Sequence, residues 1–173
     1  MNSCDLYCRD IVEEDYITPG HTACAGCGER LALNYALKAL GDRTVVVIPA
    51  SCSAVLDGMF PTSSSKVTVV HNTFESTAAV ATGVKRAFET QGKRDISVLA
   101  WAGDGGTYDI GLQALSGAAE RNENIVFICY DNEAYMNTGM QRSSATPFKS
   151  ITTTTPPGDT KGQQKKDIMG ILA

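Results

Sequence analysis

The sequence predicts an α/β fold, a three-layer sandwich in which helices cover both faces of a mostly parallel sheet. Three observations carry this expectation. Four apolar, β-branched runs (TVVVIP, VTVVH, ISVLAWA and IVFICY) are continuous rather than alternating, as strands buried on both faces require. Helical patterns of about 10–15 residues separate them, the spacing of parallel crossover units. A glycine-rich turn, Gly103-Asp104-Gly105-Gly106, stands where the third run ends and a helical pattern follows.

Taken in order, residues 1–19 read as a polar leader, and residues 20–173 as one α/β domain. The first helix is expected over Glu29–Leu40, which places Leu33, Ala36, Leu37 and Leu40 on one side. The first strand is Thr44–Pro49, a loop follows at Gly58–Lys66, and the second strand is Val67–His71. Val80, Val84, Ala87 and Phe88 recur with helical period across Ser76–Thr90. Ile96–Ala102 is the third strand, Asp109–Arg121 the next helix with Leu112, Leu115 and Ala119, and Ile125–Tyr130 the fourth strand. Ser143–Gly162 reads as a long loop. Gln163–Ala173 begins another helix but ends without a Gly or Asn cap, so the domain is expected to be incomplete at its C-terminus.

Composition narrows the function classes. Of the 173 residues, 43% are hydrophobic and 20% charged, as in ordinary globular proteins. A net charge of −4 gives no basis for a nucleic acid or an anionic membrane as partner. No apolar run approaches the roughly 18 residues of a membrane span. The N-terminus lacks the basic start and apolar stretch of a secretory signal, so a cytoplasmic location is expected. Six cysteines in a reducing compartment point to metal ligation or redox chemistry before disulfides.

In the Gly103–Gly106 turn, backbone N–H groups at a strand-to-helix junction can approach a phosphate closely. Asp104 in their midst would repel phosphates unless a divalent cation lay between, and Mg²⁺ commonly takes one or two side-chain oxygens plus phosphate oxygens. A second donor stands past the next strand: 26 residues separate Gly105 from Asn132. One crossover of that length sets the two strand tips side by side at the carboxyl edge of the sheet, where such sheets bind ligands. The G-x-G-x-x-G spacing of a nucleotide-binding Rossmann loop is not present.

Cys24-Ala-Gly-Cys27 is a C-x2-C pair, and Cys52 follows in Ala-Ser-Cys-Ser. Three thiols suit Zn²⁺, an iron–sulfur cluster or a redox dithiol, and spacing alone leaves these open. His21 and His71 complete no zinc-finger spacing. Cys129, inside an apolar strand, reads as a small buried hydrophobe, Cys4 and Cys8 as incidental thiols, and Met136 and Met140 as packing. His71–Glu75, at the end of the second strand, are candidates for pocket lining.

The stretch GDGGTYDIGLQALSGAAERNENIVFICYDNEAYMNTGMQRSSATP resembles the thiamine diphosphate motif of the 2-oxoacid:ferredoxin oxidoreductases, and the likeness extends from Gly20 onward. The resemblance implies the thiamine diphosphate-binding fold. It also implies Mg²⁺ held by Asp104, Asn132 and the backbone carbonyl of Ala134. Coenzyme contacts are implied from Glu29, Cys52, Gly103, Gly105, Gly106, Tyr135 and Asn137, with Asn137 as the catalytic residue near the reacting carbon. PGHTACAGCGERL and Cys52 resemble the first three ligands of a [4Fe-4S] cluster, Cys24, Cys27 and Cys52, the fourth lying beyond this chain. The implied reaction is oxidative decarboxylation of a 2-oxoacid, with the acyl group passing to coenzyme A and electrons to ferredoxin. The implied partners are an α-subunit that supplies the glutamate activating the coenzyme, with γ and δ subunits. ACAGCG and YMNTGMQRSSATP look closer to pyruvate enzymes than to those acting on 2-oxoglutarate or indolepyruvate. Alternatives are a subunit for 2-oxoisovalerate, a cluster-free thiamine diphosphate decarboxylase, and a non-catalytic zinc-bound or degraded fragment.

Overall fold

A computed structural model describes residues 12–173. Cys4 and Cys8, expected to be incidental thiols, lie outside the described residues. The sheet has four parallel strands in the order β2-β1-β3-β4: β1 (Thr44–Pro49), β2 (Thr68–Asn72), β3 (Ser97–Gly103) and β4 (Val126–Tyr130). Each expected strand is present within a residue of its expected ends. The helices are α1 (Gly28–Leu40), α2 (Cys52–Asp57), α3 (Thr77–Thr90), α4 (Gly105–Tyr108) and α5 (Leu112–Glu120). A two-stranded antiparallel ribbon of β5 (Ala134–Tyr135) and β6 (Gln141–Arg142) follows, and α6 (Ile168–Leu172) closes the described chain.

Alternation along the central strands explains the three layers. Val46, Ile48, Leu99 and Trp101 face α1 and pack with Leu33 and Leu37, whereas Val47, Val98 and Ala100 face α3 and pack with Ala81. Both sides of β1 and β3 are therefore buried, and a continuous apolar run is what such strands demand. The edge strands β2 and β4 are more open, because each has a neighbour on one side only. Leu33 and Leu37 lie one helical turn apart and are fully buried, each contributing about 1.5–3 kcal/mol by burial. Leu33→Ala would open a cavity there at a cost of about 2–5 kcal/mol.

Two elements differ from expectation. The helix foreseen over Asp109–Arg121 begins only at Leu112, as α5, and the separate one-turn α4 precedes it, because Gly111 packs against the carbonyl of Gly106: a Cβ at Gly111 would lie 1.7 Å from that oxygen. The expected leader is in part core, since Tyr16 and Ile17 are 7% and 9% exposed and Ile17 bridges Ser65. Those two apolar residues gain more from the α1 face than from water.

Strand order places the functional edge. The chain leaves β1 toward β2 and leaves β3 toward β4, so the crevice between the carboxyl ends of β1 and β3 is the topological switch point. Gly103 pairs with Tyr130 in register, which sets the loops after β3 and β4 beside each other.

Candidate coenzyme and metal site

A cavity of about 390 Å³ opens at that switch point. Ser51 and Cys52 contribute from the end of β1, Gly103, Asp104 and Gly105 from β3, and Asn132, Ala134, Tyr135 and Asn137 from beyond β4. The expected glycine loop and the expected amide thus meet in one space. Glycine is required at position 105, where a Cβ would lie 2.5 Å from Tyr135 Cε1 and 2.6 Å from Phe74 Cζ. The first N–H groups of a helix have no acceptor within it, so the bare backbone at Gly105 and Gly106 can meet a ligand.

Asp104 is 3% exposed. Burial pushes its carboxyl pKa up and the nearby Asp131 adds to this, while a hydrogen bond from Ser143 Oγ to Oδ2 opposes it. With Oδ2 occupied by Ser143, Oδ1 faces Asn132. One terminal atom of the Asn132 amide lies 3.2 Å from Asp104 Oδ1 and 2.8 Å from the Ala134 carbonyl oxygen. With the nitrogen turned inward these are two hydrogen bonds. With the oxygen inward, three oxygens converge with no proton between them, which is repulsive unless a cation is shared. Adjacent ligands of an Mg²⁺ octahedron at about 2.0–2.1 Å are themselves about 2.8–3.0 Å apart. The shorter separation falls on that edge and the longer lies just beyond it, so the donor set fits Mg²⁺ when the amide oxygen faces in.

Two hydroxyls from one loop hold this geometry. Ser143 grips Asp104, and Thr146 Oγ1 donates to the Glu133 carbonyl, one peptide before Ala134. Glu133 takes φ +66°, a left-handed turn whose amide bonds Asp131 Oδ1 at 3.0 Å. Tyr135 donates to Asp109 Oδ2 at 2.6 Å, and Ser144 N donates to the same oxygen at 3.1 Å. Desolvation raises the pKa of Asp109, but these hydrogen bonds outweigh it and the net shift is downward. Burial, then Asp109 itself, pushes the Tyr135 pKa upward.

Glu29 stands in the first turn of α1 and is tied down from below. Trp101 Nε1 donates to its Oε1 at 2.8 Å, Ser53 Oγ donates to the same atom, and Oε2 is buried without a partner among the described residues. Tyr130 stacks on Trp101 with centroids 5.5 Å apart, and its buried hydroxyl is likewise unpartnered. Desolvation pushes the Tyr130 pKa up to about 12, so the phenol keeps its proton as a donor. In the sequence, Tyr130 is marked only by its place one residue after Cys129 at a strand tip.

The cysteines are less gathered. Cys24 and Cys27 border a second cavity of about 560 Å³, whereas Cys52 borders the first. Burial raises the Cys52 pKa, with Glu29 and Cys27 adding to it and the Asn137 backbone opposing. Among the described residues, no three His, Cys, Asp or Glu side chains are arranged to hold a metal ion. Of the secondary candidates, Phe74 lines the first cavity and His71 Nε2 lies 3.4 Å from the buried Asp57. Met136 and Met140 were expected to pack, but they are 39% and 51% exposed, on a ribbon too short to bury them. Cys129 is partly buried against the Tyr108–Ala145–Ile168 cluster.

The fold and the loop define an α/β domain of the coenzyme-binding kind, with its candidate ligand site at the switch point. Residues 52–173 match the family described as thiamine pyrophosphate enzyme, C-terminal TPP binding domain, and the chain belongs to that family. It is 53% identical over 166 residues to pyruvate synthase subunit PorB of Methanothermobacter thermautotrophicus, covering 94% of this chain and 58% of that protein. It is 52% identical to ketoisovalerate oxidoreductase subunit VorB of Pyrococcus furiosus, covering 92% of this chain and 54% of that one. The chain thus spans somewhat over half the length of these curated relatives. Its fold is shared with a 2-oxoglutarate:ferredoxin oxidoreductase from Magnetococcus marinus solved with 2-oxoglutarate, coenzyme A and succinyl-CoA bound. That match has TM-score 0.75 and 24% identity, over 91% of this chain and 52% of that one.

Proposed function

We propose that this chain is the coenzyme-binding part of a pyruvate:ferredoxin oxidoreductase β-subunit. The observation that carries the reading is the convergence of Asp104, Asn132 and the Ala134 carbonyl at 2.8 and 3.2 Å across the tips of β3 and β4. These oxygens would hold Mg²⁺ against a diphosphate laid over the bare backbone of Gly103–Gly106. Bound there, thiamine diphosphate supplies a carbon nucleophile and an electron sink, so a 2-oxoacid can lose carbon dioxide.

The chain's own share is placement. Asn137, at the cavity mouth, is assigned a hydrogen bond to the substrate-derived oxygen, and Tyr135 and Cys52 shape the wall beside it. Glu29 carries a buried, unpartnered oxygen that suits a coenzyme N–H donor. Cys24, Cys27 and Cys52 are the proposed ligands of a [4Fe-4S] cluster, with a fourth ligand from outside the described residues. An α-subunit would supply the activating glutamate, with γ and δ subunits, ferredoxin and coenzyme A completing the reaction in the cytoplasm. Among the described residues, no helix is long and apolar enough to cross a membrane.

Pyruvate is favoured by the likeness to PorB at 53% identity, but likeness to VorB at 52% keeps 2-oxoisovalerate as a second reading. The test is anaerobic purification with the encoded partner subunits, followed by assay of thiamine diphosphate, iron and sulfide. Asp104→Ala is expected to abolish coenzyme retention and leave iron content near wild type. Full retention of coenzyme in that variant would refute the site. Comparing kcat/KM for pyruvate and 2-oxoisovalerate decides the substrate.

A further inference from the structure

Lys161 is 2% exposed and sits in the long loop far from the cavity in sequence. Lys165 pairs with Asp131 at 2.5 Å, and Lys166 lies 3.6 Å from Asp109, but Lys161 makes no ion pair among the described residues. Its ammonium donates instead to two backbone carbonyls, those of Ser144 (3.2 Å) and Thr146. Burying an ammonium without a counter-charge is costly, so what these bonds hold in place matters.

They hold the loop that aims the metal oxygens. Ser143, Ala145 and Thr146 are all at most 1% exposed. Ser143 N donates to Thr146 Oγ1 at 3.0 Å, closing the turn on itself. From that turn the Ser143 hydroxyl occupies one oxygen of Asp104 and leaves the other facing Asn132, while the Thr146 hydroxyl grips the carbonyl of Glu133. Without Lys161, the interior-facing Thr146 carbonyl loses its donor and the Ser144 carbonyl keeps only Lys166 N at 3.0 Å, so the turn that aims both hydroxyls is held more loosely.

Resting on the cation reading given above, we infer that Lys161 is a positioning residue for the metal site. Its ammonium locks the Ser143–Thr146 turn, and through it the Asp104 carboxylate and the Glu133–Ala134 peptide. It touches neither coenzyme nor substrate. Groups that orient metal ligands typically change metal affinity by about 10–100-fold when removed.

A control for general destabilisation lies in the same molecule. Lys85 is also buried, at 4% exposure, and also donates to two carbonyls, Arg94 (3.3 Å) and Ile96 (2.8 Å), but at the opposite end of β3. The experiment uses the subunit assembled with its partners, with Mn²⁺ titrated at saturating thiamine diphosphate and free Mn²⁺ read by room-temperature EPR. Lys161→Met is expected to weaken Mn²⁺ binding by about 10–100-fold. Lys85→Met is expected to lower Tm and leave Mn²⁺ affinity within about twofold. Wild-type affinity in Lys161→Met, or equal losses in both variants, overturns the proposal. If Lys161→Met does not fold, Ser143→Ala is read in its place: weakened Mn²⁺ binding with a near-normal Tm supports the proposal, and unchanged binding overturns it. Asp104→Ala separates the two levels. Wild-type Mn²⁺ affinity in that variant removes the cation reading itself, whereas loss there with none at Lys161 removes only the role given to Lys161.

Discussion

The proposed oxygen site and the proposed sulfur site of this molecule are built in opposite ways. Around Asp104 the supporting groups are bonded and buried or half-buried: the buried Ser143 and Thr146 come from one turn, and the half-buried Tyr135 and Ser144 share Asp109. Around Cys24 the chain is exposed, with a bond from Ala23 N to His21 Nδ1 at 3.3 Å and a turn from Cys27 N to Cys24 O at 3.1 Å. The physics accounts for the contrast. A carboxylate, an amide and a carbonyl can wait side by side because neutral hydroxyls and amides satisfy their spare lone pairs. Three thiols have no such partners, and as thiolates they repel until a metal neutralises them, so their arrangement and metal binding are one event. One site is preorganised, and the other is expected to assemble around its ligand.

That contrast can be broken from the oxygen side first. Gly105→Ala would drive a Cβ to within 2.5 Å of Tyr135 and 2.6 Å of Phe74, and both rings would be pushed into the cavity. Overpacking of this kind costs about 1–3 kcal/mol. The expected result is a lowered Tm and loss of the further rise in Tm that thiamine diphosphate with Mg²⁺ gives the wild type. A preserved coenzyme-dependent rise would show that the cradle is less rigid than the contact distances require. Cys24→Ser tests the other region. Because Cys24 is exposed, the metal-free Tm is expected to stay within about 1–2 °C of wild type and coenzyme binding to be unchanged, while bound iron falls. A large Tm loss without metal would mean that the cysteine loop is preorganised after all.

The same contrast explains what was legible in the sequence. The strands were readable because β1 and β3 are buried on both faces, which leaves an unbroken apolar run. Asp104 and Asn132 were readable because register and crossover length alone set two strand tips together. What aims them was not. Ser143, Thr146 and Lys161 lie in a Ser/Thr-rich stretch with no periodicity, and their roles come from hydrogen bonds spanning 39, 13 and 15 residues that no local pattern encodes. The short helix α2 was also missed, since six residues between a strand and a loop carry too few turns for a period to show. Tyr16 and Ile17 were assigned to a polar leader because their acidic neighbours dominate composition, whereas burial acts on single side chains.

The smallest expected effect is a difference in thiol reactivity. Burial pushes the Cys129 pKa up to about 11, with Asp131 and Asp104 adding to it and a hydrogen bond with Thr107 opposing. At pH 8 its thiolate fraction is then about one part in a thousand, and the thiolate is the nucleophile. In metal-free protein, brief iodoacetamide treatment followed by peptide mass spectrometry should therefore label the exposed Cys24 and leave Cys129 untouched. Raising the pH should accelerate labelling of Cys129 by about tenfold per unit until the pH approaches its pKa. Reconstitution with iron and sulfide should protect Cys24 and leave the slow rate at Cys129 as it was. Equal labelling of the two at pH 8 would mean that the β4 strand opens readily. In that case the carboxyl edge holding Asn132 would share the looseness of the cysteine loop, and the distinction between a waiting site and an assembling one would fail.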